Sequence, residues 1–213
     1  MEKLVRASYR ILCEQYGAQT MCEFAMECNA GENVFLYGNE TVCNAHFETL
    51  CGIKKPQDGE IYLTSVDLYH MDERKLTQFR RKNIGMIPCD GGMIPELPMI
   101  DQVILPMKLQ GADDEFIRNR LREMESDQMP LYNLYNTPQR SSRRKCAYAS
   151  MMRATISNPK IMIVCGFLDS FTGLDEELIF KELNRLRPKE CVLIYLSSAP
   201  IPEYMQWTQK IKL

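Results

Sequence analysis

Lys160-Ile161-Met162-Ile163-Val164-Cys165 is the run that decides the fold class. Five apolar residues in succession, with Gly166 after them, read as a strand covered on both faces, as in a parallel sheet. A strand with one wet face would alternate instead. Downstream, Leu174, Leu178, Leu183 and Leu186 recur at helical spacing with charges between them. Cys191-Val192-Leu193-Ile194-Tyr195-Leu196 is a second unbroken apolar strand, and the end, Gln209 to Leu213, is short and alternating. Upstream, Asn33-Val34-Phe35-Leu36-Tyr37 is a buried strand that enters a turn at Gly38. Val42 to Cys51 can form a helix. Pro56-Gln57-Asp58-Gly59 has turn chemistry, Glu60 to Thr64 alternates as a half-buried strand, Asp72 to Lys82 is polar and helical, and Ile84 to Ile87 is another buried strand.

From Pro98 to Asn158 the character changes. Ile100 to Leu109 and Asp113 to Met124 read as helices, with a loop around Met129 to Pro138. Arg140 to Ile156 then reads as a helix entered through Ser141-Ser142. The whole is an α/β pattern: a parallel core sheet, a strand-rich N-terminal part and an all-helical insertion.

Composition narrows the function classes. Hydrophobic residues at 45% and charged residues at 25% of 213 exclude wholesale disorder. Lys+Arg 26 against Asp+Glu 28 leaves a net charge of −2, so no global field draws the chain to nucleic acid or an anionic membrane. No apolar run approaches the roughly 20 residues that span a bilayer. The start, Met1-Glu2-Lys3-Leu4-Val5-Arg6, has no apolar signal segment, so a cytosolic chain is expected. The nine cysteines are scattered, with no Cys-x-x-Cys pair and only two histidines. Reduced, buried thiols are therefore expected rather than a disulfide framework or a zinc site.

The order of several framework segments resembles the ATP-binding cassette (ABC) transporter ATPase family, in particular its exporter, lipoprotein-release and cell-division branch. Gly31-Glu32-Asn33-Val34-Phe35-Leu36-Tyr37-Gly38 is similar to the strand leading into that family's phosphate loop. Gly52 through Pro56-Gln57-Asp58-Gly59-Glu60-Ile61 is similar to the turn and strand after that loop's helix. Arg80 to Met86 and Met93-Ile94-Pro95-Glu96-Leu97 resemble the flanks of the glutamine loop. Val103-Ile104-Leu105-Pro106 resembles the start of the helical lobe. Arg153-Ala154 with Asn158-Pro159-Lys160-Ile161-Met162-Ile163 resembles the end of the signature helix and its following strand. The resemblance runs nearly end to end. It implies a P-loop NTPase-like parallel core sheet with an N-terminal antiparallel β part and an inserted helical lobe. Residues 1–213 form one cassette domain on this reading, with core 1–97 and 159–213 and lobe 98–158.

The residues that would do the family's chemistry depart from its pattern. A phosphate loop needs glycines to let backbone N–H groups wrap the phosphates, a Lys for the β/γ oxygens and a Ser/Thr for Mg²⁺. Here the corresponding run is Gly38-Asn39-Glu40-Thr41-Val42-Cys43-Asn44-Ala45-His46, with no Lys between Gly31 and Ile53. Either Cys43 or Asn44 falls at the lysine position. The glutamine-loop Gln aligns with Cys89. The signature Leu-Ser-Gly-Gly-Gln aligns with Ser141 to Lys145, the metal-binding Asp and catalytic Glu with Cys165 and Gly166, and the switch His with Ser198. Tyr16, or Tyr9, is the candidate adenine-stacking aromatic. Thiol and glycine cannot organise Mg²⁺ or polarise water as two carboxylates do.

The resemblance thus implies a non-hydrolysing cassette subunit of an ABC-type membrane complex, on the inner face of the cell membrane. Its implied partners are a permease and a second cassette, in a homo- or heterodimer, and not nucleic acid. No catalytic residue, metal or obligatory cofactor is expected, and residual ATP or ADP binding at Tyr16, Gly38, Cys43 and Asn44 stays open. Met93, Ile94, Pro95 and Leu97 are the residues expected to dock a permease segment. Two alternatives stay open: an active ABC ATPase whose motifs are misaligned, and an enzyme using the cleft for thiol or metal chemistry around Cys43, Cys89 and Cys165. Asp169 follows the apolar strand and is a candidate replacement carboxylate. Asp175, Glu176 and Glu177 fit a helix N-terminus, and His46 fits a packed or surface helix position. Arg140, Arg143, Arg144 and Lys145 are either a solvated helix face or a phosphate- or partner-binding patch.

Overall fold

The computed structural model describes residues 2–15 and 18–213. Two long strands, β1 (Lys3–Gln15) and β2 (Ala18–Asn29), pair antiparallel, with Tyr9 opposite Phe24 and Ile11 opposite Cys22. β4 (Asp58–Leu63) pairs antiparallel on the other side of β1, and the short β5 (Val66–Asp67) closes this sheet in the order β2-β1-β4-β5. The second sheet is parallel. It consists of β3 (Asn33–Tyr37), β6 (Ile84–Ile87), β7 (Ile161–Cys165), β8 (Val192–Ser197) and β9 (Gln209–Lys212), in the order β6-β7-β8-β3-β9. Every residue of β7 and β8 is buried, which is why both read as unbroken apolar runs.

The helix α1 (Glu40–Leu50) lies between the two sheets, with Val42, Cys43, Phe47 and Leu50 in one core with Tyr9, Phe24, Ile163 and Ile194. α2 (Glu73–Asn83) leads into β6 and carries Asp72 as its N-cap. α3 (Met99–Leu109), α4 (Asp114–Met124) and α5 (Arg143–Thr155) form the helical segment between β6 and β7, and α6 (Leu174–Leu186) joins β7 to β8. These four helices share the core on the other face of the parallel sheet, around Phe35, Val164, Leu193 and Tyr195.

α5 begins at Arg143 rather than at the expected Arg140. Ser142 is its N-cap, its side chain accepting from Lys145 N at 3.4 Å, and residues Pro138–Arg140 form a separate 3₁₀ turn. β6 passes close beneath α5. A Cβ on Gly85 would stand 2.3 Å from the Ala154 carbonyl oxygen, so only glycine fits there. Among the described residues no helix is long and apolar enough to cross a membrane.

Candidate functional site

The candidate site lies at the ends of β3, β7 and β8 and the start of α1, where a parallel α/β sheet commonly places ligands. Only Gly38 and Asn39 separate β3 from α1. The helix read from Val42 begins two residues earlier, at Glu40, so most of the run aligned with the phosphate loop is helical. Asn39 is the N-cap: its Oδ1 accepts from Val42 N at 2.8 Å and its carbonyl from Cys43 N at 2.9 Å. The Val42 N–H, which has no partner inside the helix, is thus satisfied by the cap, the Cys43 N–H makes the first helical bond, and Glu40 places a carboxylate at the positive end. Leu213 covers the same corner. Its N–H donates to the Tyr37 carbonyl at 2.9 Å, and a Cβ on Gly38 would meet its Cβ at 3.1 Å.

Cys43 faces inward. Its thiol donates to the Gly38 carbonyl at 3.6 Å, and burial raises its pKa to about 11, so it stays protonated. Asn44 is exposed, and its Oδ1 lies 3.7 Å from Cys89 Sγ. Cys89 Sγ is 3.0 Å from Cys165 Sγ, so two thiols occupy the ends of the adjacent strands β6 and β7. Among the described residues no group of three or more His, Cys, Asp or Glu side chains could hold a metal ion. Tyr16 lies outside the described residues. Tyr9 is buried in the core, its hydroxyl 2.8 Å from His46 Nδ1, and presents no face for stacking. His46 is 1% exposed, a packed helix residue with Nε2 buried and without a partner; burial lowers its pKa to about 4.

Asp169 sits in the 3₁₀ turn after β7. Tyr195 OH donates to its Oδ1 at 2.6 Å and Ser197 Oγ to its Oδ2 at 2.7 Å. Burial raises its pKa above the ordinary carboxylate value, while the two hydroxyls act in the opposite direction. With both oxygens engaged, Asp169 ties β7 to β8 and does not reach outward as a metal-binding carboxylate would. Sequence reasoning singled out Asp169 but missed Tyr195 and Ser197. The signal was two hydroxyls two residues apart in an otherwise apolar strand, which places them on one face.

The basic cluster at the start of α5 is largely committed within the chain. Arg144 pairs with Asp175 at 2.7 Å, the Arg143 guanidinium stands over the Phe171 ring, and Lys145 donates to Asn133 Oδ1 at 2.8 Å. Asp175 is thus a helix-start acid with an ion-pair partner.

A groove of about 470 Å³ runs between β6 and α3, lined by Ile53, Met86, Pro88, Leu105 and Leu109, with Arg80, Arg81 and Arg153 among its polar groups. Arg153 is held by the Gly91 and Gly92 carbonyls. Of the expected docking residues, Met93 is half-buried against the core, whereas Ile94 (51% exposed), Pro95 and Leu97 (46% exposed) are open. None of the four lines the groove itself. Gln102 joins the two regions: it lines the groove, accepts from Ile94 N at 2.7 Å, and donates to the Ile94 and Leu97 carbonyls.

No family model matches the chain. The cell division ATP-binding protein FtsE of Escherichia coli (strain K12) is 26% identical over 178 residues, covering 80% of this chain and 78% of that protein. The lipoprotein-releasing system ATP-binding protein LolD of Paramagnetospirillum magneticum is 26% identical over 165 residues, covering 76% and 72%. An uncharacterized ABC transporter ATP-binding protein of Methanocaldococcus jannaschii, MJ0796, is 28% identical over 149 residues, covering 67% and 63%. Among solved structures, the dimer of the ATP-binding cassette MJ0796 in a post-hydrolysis state bound to ADP and Pi superposes with a TM-score of 0.79 at 19% identity. That match covers 91% of this chain and 88% of the other. At that identity the superposition speaks for the fold.

Proposed function

We propose that this chain, similar to the ATP-binding proteins FtsE and LolD, is an ABC-type cassette subunit that does not hydrolyse ATP and instead serves a membrane permease as scaffold or regulator. One observation carries the reading. The link from β3 to α1 is two residues long, and the Asn39 side chain already takes up the Val42 N–H, one of the groups on which a phosphate would rest. The run between Gly31 and Ile53 carries no lysine to offset the phosphate charge, and Glu40 adds a further negative charge there. The positions of the paired carboxylates hold Cys165 and Gly166, and Asp169 is engaged by Tyr195 and Ser197. On this reading residues 1–213 act as one domain, with the helical insertion 98–158 carried on the core and the subunit seated on the inner face of the membrane.

The proposed docking surface is the groove between β6 and α3 together with exposed Ile94, Pro95 and Leu97. Its occupant on this reading is a short apolar segment of the permease bearing a carboxylate, because three arginines stand among the groove's apolar side chains. Pairing with a second cassette would bring that partner's phosphate loop over Ser141 to Lys145. Arg144 and Lys145 are held there by Asp175 and Asn133, so this chain would modulate a shared site rather than drive it. The test is phosphate release by the purified chain with Mg-ATP. Background release is expected. Steady turnover that is lost in Asn44→Ala would instead make the chain an active ATPase.

A further inference from the structure

Cys89 and Cys165 stand 3.0 Å apart, sulfur to sulfur, closer than two thiols pack without an S–H···S contact. Cys165 ends β7 and is buried, while Cys89 lies just past β6 and is half-buried. The register aligns Ile87 with Val164, so Pro88 falls opposite Cys165 and Cys89 stands one residue further along, diagonal to Cys165. Both pack into the core on the α1 side of the sheet, which directs the side chains to the same face. A spacing of about 4.8 Å between strands with one residue of about 3.3 Å along the strand puts the diagonal at about 5.8 Å, inside the roughly 4.4–6.8 Å between Cα atoms that a disulfide tolerates. Closing the gap to a bond of about 2.05 Å asks for a shift near 1 Å. Cys89 belongs to the turn Pro88 to Gly91, closed by Gly91 N donating to Pro88 O at 2.8 Å, and a turn adjusts more readily than a strand.

We propose that Cys89 and Cys165 are a peroxide-oxidised dithiol, whose disulfide locks the turn after β6 onto the end of β7. Cys89 is the group oxidised first. It is the more exposed of the two, and the neighbouring Cys165 thiol lowers its pKa while Cys165's own is raised. In the first step the Cys89 thiolate attacks a hydroperoxide. An S–O bond forms, the O–O bond breaks, and with one proton the other oxygen leaves as water or an alcohol. In the second step the Cys165 sulfur attacks the Cys89 sulfenic acid. The S–S bond forms, the S–O bond breaks, and hydroxide leaves with the Cys165 proton as water. The peroxide takes the two electrons that the thiols give up.

The lock would reach beyond the cleft. The turn also presents the Gly91 and Gly92 carbonyls to Ser150 and Arg153 of α5. Tying it to β7 therefore ties the helical insertion to the core sheet. This inference does not depend on whether the chain binds nucleotide.

The experiment treats the full-length chain with hydrogen peroxide, quenches with iodoacetamide and maps peptides without reduction. A Cys89–Cys165 peptide is expected, and it should vanish after dithiothreitol. In Cys165→Ser, Cys89 should instead be trapped by dimedone. The oxidised parent should unfold at a higher urea concentration than the reduced one, and Cys89→Ser should show no such difference. Cys89 and Cys165 both fully alkylated after peroxide would overturn the proposal. So would Cys89 paired with Cys43. The parent's peptide map decides the question even if a variant fails to fold.

Discussion

Asn39→Ala tests the geometry at the start of α1. The substitution removes the acceptor that now lies 2.8 Å from Val42 N. Losing an N-cap of this kind costs about 1 kcal/mol, with a range of roughly 0.5–2. For a chain of this size that corresponds to a fall in Tm of about 2–4 °C. Asn39→Asp keeps the acceptor and adds a charge at the positive end of the helix, worth about 0.3–1 kcal/mol where screening is weak. The expected order of stability is therefore Asp at or above Asn, and both above Ala. Thermal unfolding followed by circular dichroism, with and without Mg-ATP, reads both parts of the argument. A nucleotide present at 100 times its Kd would add about 2.7 kcal/mol, more than the cap itself contributes, so binding could not pass unseen. No shift with Mg-ATP is expected for the parent or for Asn39→Ala. If Asn39→Ala is as stable as the parent, or if ATP restores its loss, the loop is not self-capped as described.

Gly85→Ala should cost at least about 1–3 kcal/mol, because its Cβ would press on the Ala154 carbonyl from 2.3 Å; urea denaturation reads this. His46 is neutral when folded, with a pKa of about 4 against 6.5 for the unfolded chain. Below pH 6.5 the unfolded state takes up a proton that the folded state refuses until about pH 4, so stability should fall across that window by up to about 3 kcal/mol. His46→Gln should flatten this limb of the stability–pH curve. Ile94→Asp with Leu97→Asp should release the chain from the proposed permease in a pull-down while leaving its unfolding midpoint unchanged, since both side chains are open; retention in full would remove them from the docking surface.

The elements that the sequence disclosed best are those with the simplest surroundings. β3, β7 and β8 are covered on both faces, and each reads as an unbroken apolar run. β1 and β2 were legible only as a strand-rich region. Residues 18–21 of β2 are exposed on both faces, so the alternation that would mark the strand is absent there. At the α5 start, two adjacent serines offered equal caps, and only the structure selects Ser142. The site was partly legible. The lack of a lysine between Gly31 and Ile53 could be read directly, but Asn39 is a helix cap only because α1 starts two residues after Gly38. The Asp169–Tyr195–Ser197 contacts span 26 and 28 residues of chain, and no local pattern announces them. Met93 read as apolar like its neighbours, yet it turns toward the core while Ile94 and Leu97 do not, a difference set by how Gln102 clasps that segment.

The most direct test of the central claim is equilibrium binding of ATP to the purified chain, by isothermal titration calorimetry with and without Mg²⁺. The account predicts no saturable heat in either condition, because the helix N-terminus is capped by Asn39 and the run Gly38 to His46 carries no lysine to hold the phosphates. A one-to-one isotherm that tightens with Mg²⁺ and disappears in Asn44→Ala would contradict it.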